Sequence, residues 1–358
     1  SLADLISFFR RKSRLPQKVA PAFFDTGGTS PRVRERSGDI PVPEKESKPT
    51  RLTKRWSRIP LGLSLIVLSL FALTGCKPPK VSPIIFRVMT YNIHHGEGLD
   101  GKVDLDRIAK VITDANADAV ALQEVDQNTK RTGGIDMAAE LAKRTNMHVA
   151  FGANLDFQGG KYGTAILSKH PIESYENHVL KQARDGEPRG VLQAVLDVGQ
   201  GRLLFAGTHL DHTRDQGERL FSQTQFDELF AKYEDLPIIF CGDFNDTPGS
   251  ELHKRMSENW FDSWELVGQG PGLTMTSDNP TRRIDYVWVS DSKNFKLRWT
   301  DVPQTDASDH LPVVAELEFK PAAHPMDDAQ LALIIIVMTL LSAIPIGLGA
   351  TIFISSRR

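Results

Sequence analysis

Between Pro83 and Lys320, short apolar runs alternate with stretches whose apolar residues recur every three to four positions. The runs IIFRVMTYNI, AVALQEVD, YGTAILS, VLQAVLDV, RLLFAGTHL, LPIIFCGDF, RIDYVWVS and LPVVAELEF read as strands. In DLDRIAKVITDA, Leu105, Ile108, Val111 and Ile112 fall at helical spacing, with Asp104 placed as an N-cap. IDMAAELAKRT reads as a second helix, and a long helix is predicted near Gly217–Tyr233. Many of the strands are apolar throughout, which indicates sheets covered on both faces. No internal repeat breaks the pattern. These features predict a layered α/β domain of about 235 residues, large enough for a substantial core.

The flanks have a different character. Residues 1–50 are rich in Pro, Arg, Lys, Ser and Gly and read as a disordered basic arm. Arg51, Lys54, Arg55 and Arg58 then precede an apolar run from Leu61 to Leu73. That run is shorter than the roughly 20 residues needed to span a bilayer, and it fits the apolar part of an export signal. It ends in Leu73-Thr74-Gly75-Cys76, which resembles a bacterial lipobox and would make Cys76 a lipidated residue. The alternative for 51–76 is an uncleaved N-terminal anchor. At the other end, Leu331–Ile354 is uncharged and mostly apolar, and is predicted to span a membrane. Arg357 and Arg358 follow it, so the positive-inside rule puts both basic flanks in the cytoplasm and residues 81–320 outside it.

Charge follows the same division. The 358 residues carry a formal charge of −2, but residues 1–80 hold 16 Lys/Arg against 6 Asp/Glu, and residues 81–320 hold 25 against 37. A protein that binds nucleic acid gains affinity from many Lys/Arg–phosphate contacts, and the acidic domain lacks that bulk bias. The two cysteines, Cys76 and Cys241, are not expected to pair; Cys241 sits inside an apparent buried strand.

Polar residues gather at strand ends, where a sheet enzyme builds its site. Asn92 closes the first strand, Glu124 the second, His209 closes THLD, and Asp243 and Asn245 close GDFND. Asp285 opens IDYVWV, and Asp309 and His310 stand in SDHLP before the last strand. Carboxylates and carboxamides with few imidazoles suit a hard cation, Mg²⁺ or Mn²⁺, and do not suit a closed structural zinc site.

The set TYNIHHG, LQEVD, GDFND, RIDYV and SDHLP, in this order across residues 84–320, resembles the endonuclease/exonuclease/phosphatase superfamily. That group holds pancreatic-type DNases, abasic-site endonucleases, neutral sphingomyelinases and inositol polyphosphate 5-phosphatases. The resemblance implies a DNase I-like four-layer α/β/β/α sandwich. It implies Glu124 as principal metal ligand, with Asn92 and Asp309 completing the shell directly or through water. Asp243 would orient or deprotonate the attacking water, and Asn245 would help hold the phosphate. His310 would contact the phosphate, its tautomer and charge fixed by Asp285, and His209 would bind or protonate the phosphoryl oxygens. One cation and two imidazoliums would then face the developing charge.

One position departs from some nuclease relatives, which carry an acid two places after the motif Asn. Here that place is His94, either a ligand or phosphate contact or a plain polar residue at the loop start. His95 reads as structural or exposed. Tyr162, Arg189, Arg219 and Arg283 are second-tier substrate contacts, weighed against ordinary intradomain pairing. Asp211 and Asp246 read as loop caps, and Trp260 and Trp264 as packing. The expected activity is a phosphodiesterase or phosphatase on a lipid head group or other small phosphoester. The alternatives are an extracytoplasmic nuclease and a non-catalytic binding lipoprotein. The partners expected are a phosphoester substrate and a membrane, with the protein itself monomeric.

Overall fold

The computed structural model describes residues 82–290 and 295–322. The basic arm, the segment 51–76 with Cys76, and the apolar run 331–354 lie outside the described residues. In chain order the elements are β1 (Ile84–Asn92), α1 (Leu105–Ala115), β2 (Ala119–Gln127), α2 (Met137–Thr145), β3 (His148–Phe157), β4 (Gly160–Ser168), β5 (Ile172–Val179), β6 (Gly190–Asp197) and β7 (Arg202–His209). There follow α3 (Gly217–Gln223), α4 (Phe226–Ala231), β8 (Ile238–Asp243), α5 (Glu251–Asn259), β9 (Phe261–Asp262), α6 (Ser263–Val267), β10 (Asp285–Val289), β11 (Phe295–Asp301) and β12 (Val313–Phe319).

The strands form two six-stranded mixed sheets, ordered β11-β12-β1-β2-β4-β3 and β5-β6-β7-β8-β10-β9. Each has one parallel pair, β1–β2 joined through α1 and β7–β8 joined through α3 and α4. Strand alternation explains the layering. Phe86, Val88, Ala119, Ala121, Leu203, Phe205, Ile239, Cys241, Val287 and Val313 face one another between the sheets. Their neighbours Met89, Tyr91, Val120 and Leu122 turn outward onto α1 and α2. Leu204, Ala206, Phe240 and Trp288 turn outward onto α4 and α5. The result is the expected α/β/β/α sandwich, with apolar strands covered on both faces as the sequence indicated.

The caps follow sequence chemistry. Asp104 accepts from the backbone N–H groups of Asp106 and Arg107, and Ser250 accepts from His253. The expected long helix near Gly217–Tyr233 is instead two short ones. At the junction the Gln225 side chain takes the Lys181 N–H at 2.9 Å and gives a hydrogen bond to the Lys181 carbonyl at 3.0 Å. These bonds tie the α3–α4 junction to the chain after β5. Trp260 packs against Phe230 and Phe240, as expected for a packing residue. Cys241 is a buried free thiol. Among the described residues no helix is long and apolar enough to cross a membrane.

Ile84 pairs with Phe319, and Thr90 with Val313. The described chain therefore enters β1 and leaves β12 at one pole of the sandwich. Asn92 and the residues preceding β12 lie at the other pole.

Candidate active site

The polar pole grows out of the same alternation that builds the core. Along β1 the inter-sheet face reads Phe86, Val88, Thr90, Asn92; along β8 it reads Ile239, Cys241, Asp243; along β7 it reads Leu203, Phe205, Gly207, His209. Each series is apolar in the interior and turns polar toward its end, from Thr90 in β1 and at the last member in β7 and β8. Register then lines these members up: His209 pairs with Asp243, and Asp243 with Asp285, so three adjacent strands present them abreast. Asn92 faces them from the other sheet, its amide donating to Asp243 Oδ2 at 3.1 Å.

Glu124 reaches this pole by a different route. Simple alternation would send it outward with Val120 and Leu122. A bulge lies between Leu122 and Val125, and Glu124 there adopts a left-handed φ of 60°. A non-glycine residue held so costs about 1–3 kcal/mol, and such outliers gather at functional sites. The bulge lets Glu124 Oε1 accept from the same Asn92 amide at 3.1 Å. Asn92 thus ties Glu124 to Asp243, while its side-chain Oδ1 accepts from the His94 N–H at 3.1 Å. Ser308 donates to the Asn92 carbonyl at 2.8 Å, fixing the loop that carries Asp309 and His310. Asp309 Oδ1 lies 3.9 Å from His94 Nδ1.

Asp243 is the centre of the arrangement. Its Oδ1 accepts from the Asn245 backbone N–H at 2.9 Å. Its Oδ2 lies 3.5 Å from His209 Nε2 and 3.7 Å from His310 Nε2. Burial and the nearby Asp285 carboxylate raise its pKa to about 7. His310 Nδ1 sits 2.9 Å from Asp285 Oδ2. Burial opposes the charge on His310, but Asp285 and Asp243 outweigh it and raise its pKa to about 10. Its two carboxylate neighbours thus favour the charged form of His310.

His209 takes the opposite state: burial and the Arg189 guanidinium push its pKa well below the ordinary value, so it is neutral. The expectation of two imidazoliums holds for His310 only. Burial acts first, and Arg189 adds to it: its guanidinium lies 3.0 Å from His209 Nδ1 and pairs with Glu187 at 2.8 Å. Arg189 thus acts on His209 rather than standing free for a phosphate. Asn245 likewise spends its amide on the Leu210 carbonyl at 3.1 Å, which holds the loop that supports Asp243.

Tyr162 is close to Glu124, Glu187 and Arg189, and burial raises its pKa. Arg219 and Arg283 take structural partners: Arg219 bonds Asp246 and the Asp211 carbonyl, and Arg283 pairs with buried Asp262 at 2.6 Å. Asp211 accepts from the Thr213 backbone N–H, as a loop cap does. His95, expected to be structural or exposed, is buried beside Glu124. Sequence reading missed Ser308, and it missed Arg131, whose guanidinium is held by Asp126 and stacks on Phe157 and Tyr162. The Arg131 position seven residues after Glu124 carries no signal of its own.

The donor set fits a divalent cation. His94, His95 and Glu124 offer ligand atoms within 4.8 Å of one another, and so do Asp243, Asp285 and His310. Carboxylates are concentrated here with few cations to balance them. A third cluster, His253, Asp262 and Glu265, is already neutralised by Arg283.

The chain is similar to known proteins. The Escherichia coli (strain K12) protein YbhP is 27% identical over 264 residues, covering 67% of this chain and 99% of its own. A 5'-tyrosyl-DNA phosphodiesterase from Caenorhabditis elegans is 26% identical over 214 residues, 58% of this chain and 52% of that protein. The crystal structure of an endonuclease/exonuclease/phosphatase from Beutenbergia cavernae aligns with a TM-score of 0.56 and 28% identity, covering 66% of this chain and 72% of that one. The pattern that defines the Endonuclease/Exonuclease/phosphatase family matches residues 89–310, which brackets every site residue from Asn92 to His310, and the chain belongs to that family.

Proposed function

We propose that the protein is a divalent-metal-dependent hydrolase of small phosphoesters, a phosphodiesterase or phosphatase with lipid head groups among its substrates. The observation that carries this reading is the placement of Asp243 between neutral His209 and cationic His310, opposite Glu124.

Each residue has a distinct task. Asp243, with its pKa near neutrality, accepts a proton from the attacking water. His310 faces the phosphoryl oxygens as a charged donor, held in that state by Asp285. His209 offers a neutral Nε2–H on the other side of Asp243. Glu124 and Asp309, with Asn92 alongside, would hold Mg²⁺ or Mn²⁺. Such an ion supplies charge stabilisation at the phosphoryl group and a more acidic water.

One feature favours small esters over nucleic acid, and a second bears on which esters. Residues 81–320 carry an excess of acidic side chains, 37 against 25 basic ones. The chain also enters and leaves the sandwich at the pole opposite the site. If 331–354 spans a membrane, with residues 81–320 outside the cytoplasm, the site faces away from the anchoring bilayer. That favours soluble or released head groups over lipids embedded in that bilayer. Protease added to intact spheroplasts checks this topology: digestion of residues 81–320 supports it, and protection until lysis contradicts it.

The substrate reading is tested by offering the purified protein glycerophosphodiesters, inositol phosphates, phospholipid vesicles and a DNA oligonucleotide between about 50 and about 200 mM salt. Turnover of the small esters with little salt dependence is expected. Preferred cleavage of DNA, falling steeply with salt, would establish the nuclease alternative instead.

A further inference from the structure

We propose that His94 and His95 supply imidazole nitrogens to the Glu124–Asp309 metal centre, making it a mixed nitrogen–oxygen site for a first-row transition ion rather than an all-oxygen site for Mg²⁺. The inference rests on the metal-dependent reading above and specifies the ion.

The backbone is arranged to bring the two rings in. His94 and His95 have φ of 44° and 45°, and Gly96 follows at 79°, three consecutive left-handed residues. Histidine adopts that region only where its surroundings impose it. The turn places both rings beside Glu124, with ligand atoms within 4.8 Å of one another. Donors sharing one ion at bond lengths near 2.1 Å stand roughly 3 to 4 Å apart, so side-chain torsions alone close the set. His94 Nδ1 is also 3.9 Å from Asp309 Oδ1, which joins the two imidazoles to both carboxylates expected to bind metal.

His95 gives the second, independent observation. It is 9% exposed, and its Nδ1 is buried with no hydrogen-bond partner. Buried polar atoms are nearly always satisfied, and an orphaned one calls for a missing partner. On the other side of the ring, Nε2 lies 3.4 Å from Glu97 Oε2. A carboxylate there draws the ring proton to Nε2 and leaves the lone pair on Nδ1. A histidine ligand is commonly oriented by a carboxylate in this manner. Imidazole suits Fe²⁺, Co²⁺ and Zn²⁺, and Mn²⁺ accepts it more readily than Mg²⁺, which demands near-ideal geometry and keeps oxygen and water.

The test compares metal binding by the wild-type protein with His94→Asn, His95→Asn and the double variant. Asparagine tolerates the left-handed region, so the loop conformation is kept, and thermal melting checks folding. Binding of Mn²⁺ and Mg²⁺ is measured calorimetrically, and Co²⁺ is followed by its visible absorption. We expect the double variant to lose about 10- to 100-fold in Mn²⁺ affinity while Mg²⁺ affinity stays nearly constant, with the Co²⁺ spectrum altered in each single variant. A double variant with the wild-type Mn²⁺/Mg²⁺ ratio and an unchanged Co²⁺ spectrum overturns the inference alone. Wild-type protein that binds none of these ions, or Glu124→Gln that binds them undiminished, overturns the metal-dependent reading together with it.

Discussion

Arg189 Nη1 lies 3.0 Å from His209 Nδ1, and this contact decides the state of one side of the site. A guanidinium only donates, so Nδ1 must accept and the His209 proton must sit on Nε2, facing Asp243. The charge that repels a proton from His209 also aligns its remaining hydrogen. Removing Arg189 should release the tautomer and relieve part of the repulsion, while burial still opposes the charge. In Arg189→Ala, His209 becomes free to titrate or to change tautomer, and turnover should fall about 10-fold or more. Imidazole nitrogen shifts of His209 would report the change; shifts identical to wild type would show that Arg189 does not set its state.

Asp285 does the opposite for His310. The pH profile of turnover should rise through about pH 7, as Asp243 loses its proton, and fall above about pH 10, as His310 loses its own. Asp285→Asn removes a carboxylate that raises the His310 pKa, so the alkaline limb should move to lower pH. Stability follows the same sign. The His310 pKa is higher in the fold than in the unfolded chain, so its pairing stabilises fully below about pH 6.5 and is lost as pH rises through about 10. An alkaline limb unmoved by Asp285→Asn would detach the pair from catalysis.

Turnover should depend on His310 more than on any other imidazole. His310→Ala removes the cationic donor and should lower kcat about 10²-fold or more in protein that still folds, at a lower melting temperature because Asp285 is left buried and unpaired. Wild-type turnover in that variant would remove His310 from the site.

Glu124 trades stability for position. Its φ of 60° is strained for glutamate and costless for glycine. Glu124→Gly should therefore hold or raise thermal stability by about 1 kcal/mol while abolishing metal-dependent activity. A destabilised variant would show that the Glu124 side chain supports the fold through its Asn92 contact more than the backbone strain opposes it.

Most of the fold was legible because its strands are buried on both faces. β1, β2, β7, β8, β10 and β12 read as apolar runs, and the residues that end them, Asn92, His209, Asp243 and Asp285, read as polar terminators. The elements that escaped lie at the periphery. β5 is an edge strand whose IESYENHV is mostly solvated, so it shows no apolar run. α5 buries Leu252, His253 and Met256 and offers too short an apolar stripe to announce itself. At the site, the membership of Glu124 was legible from LQEVD, but the bulge that turns it inward was not. The neutrality of His209 was equally hidden, because Arg189 meets it only through the β6–β7 pairing that sets the two side by side. His95 escaped for the same kind of reason, since three successive left-handed residues cannot be read from HHG.

Phosphoester hydrolysis through a bound divalent ion is the activity proposed for this site. The most direct measurement is hydrolysis of bis(4-nitrophenyl) phosphate and 4-nitrophenyl phosphate by the purified protein before and after chelation. The account predicts metal-dependent release of 4-nitrophenol from at least one of them, loss in EDTA, recovery on adding Mn²⁺ or Mg²⁺, and little activity in Glu124→Gln under every condition. Full activity in chelator, or a Glu124→Gln protein as active as wild type, would contradict it.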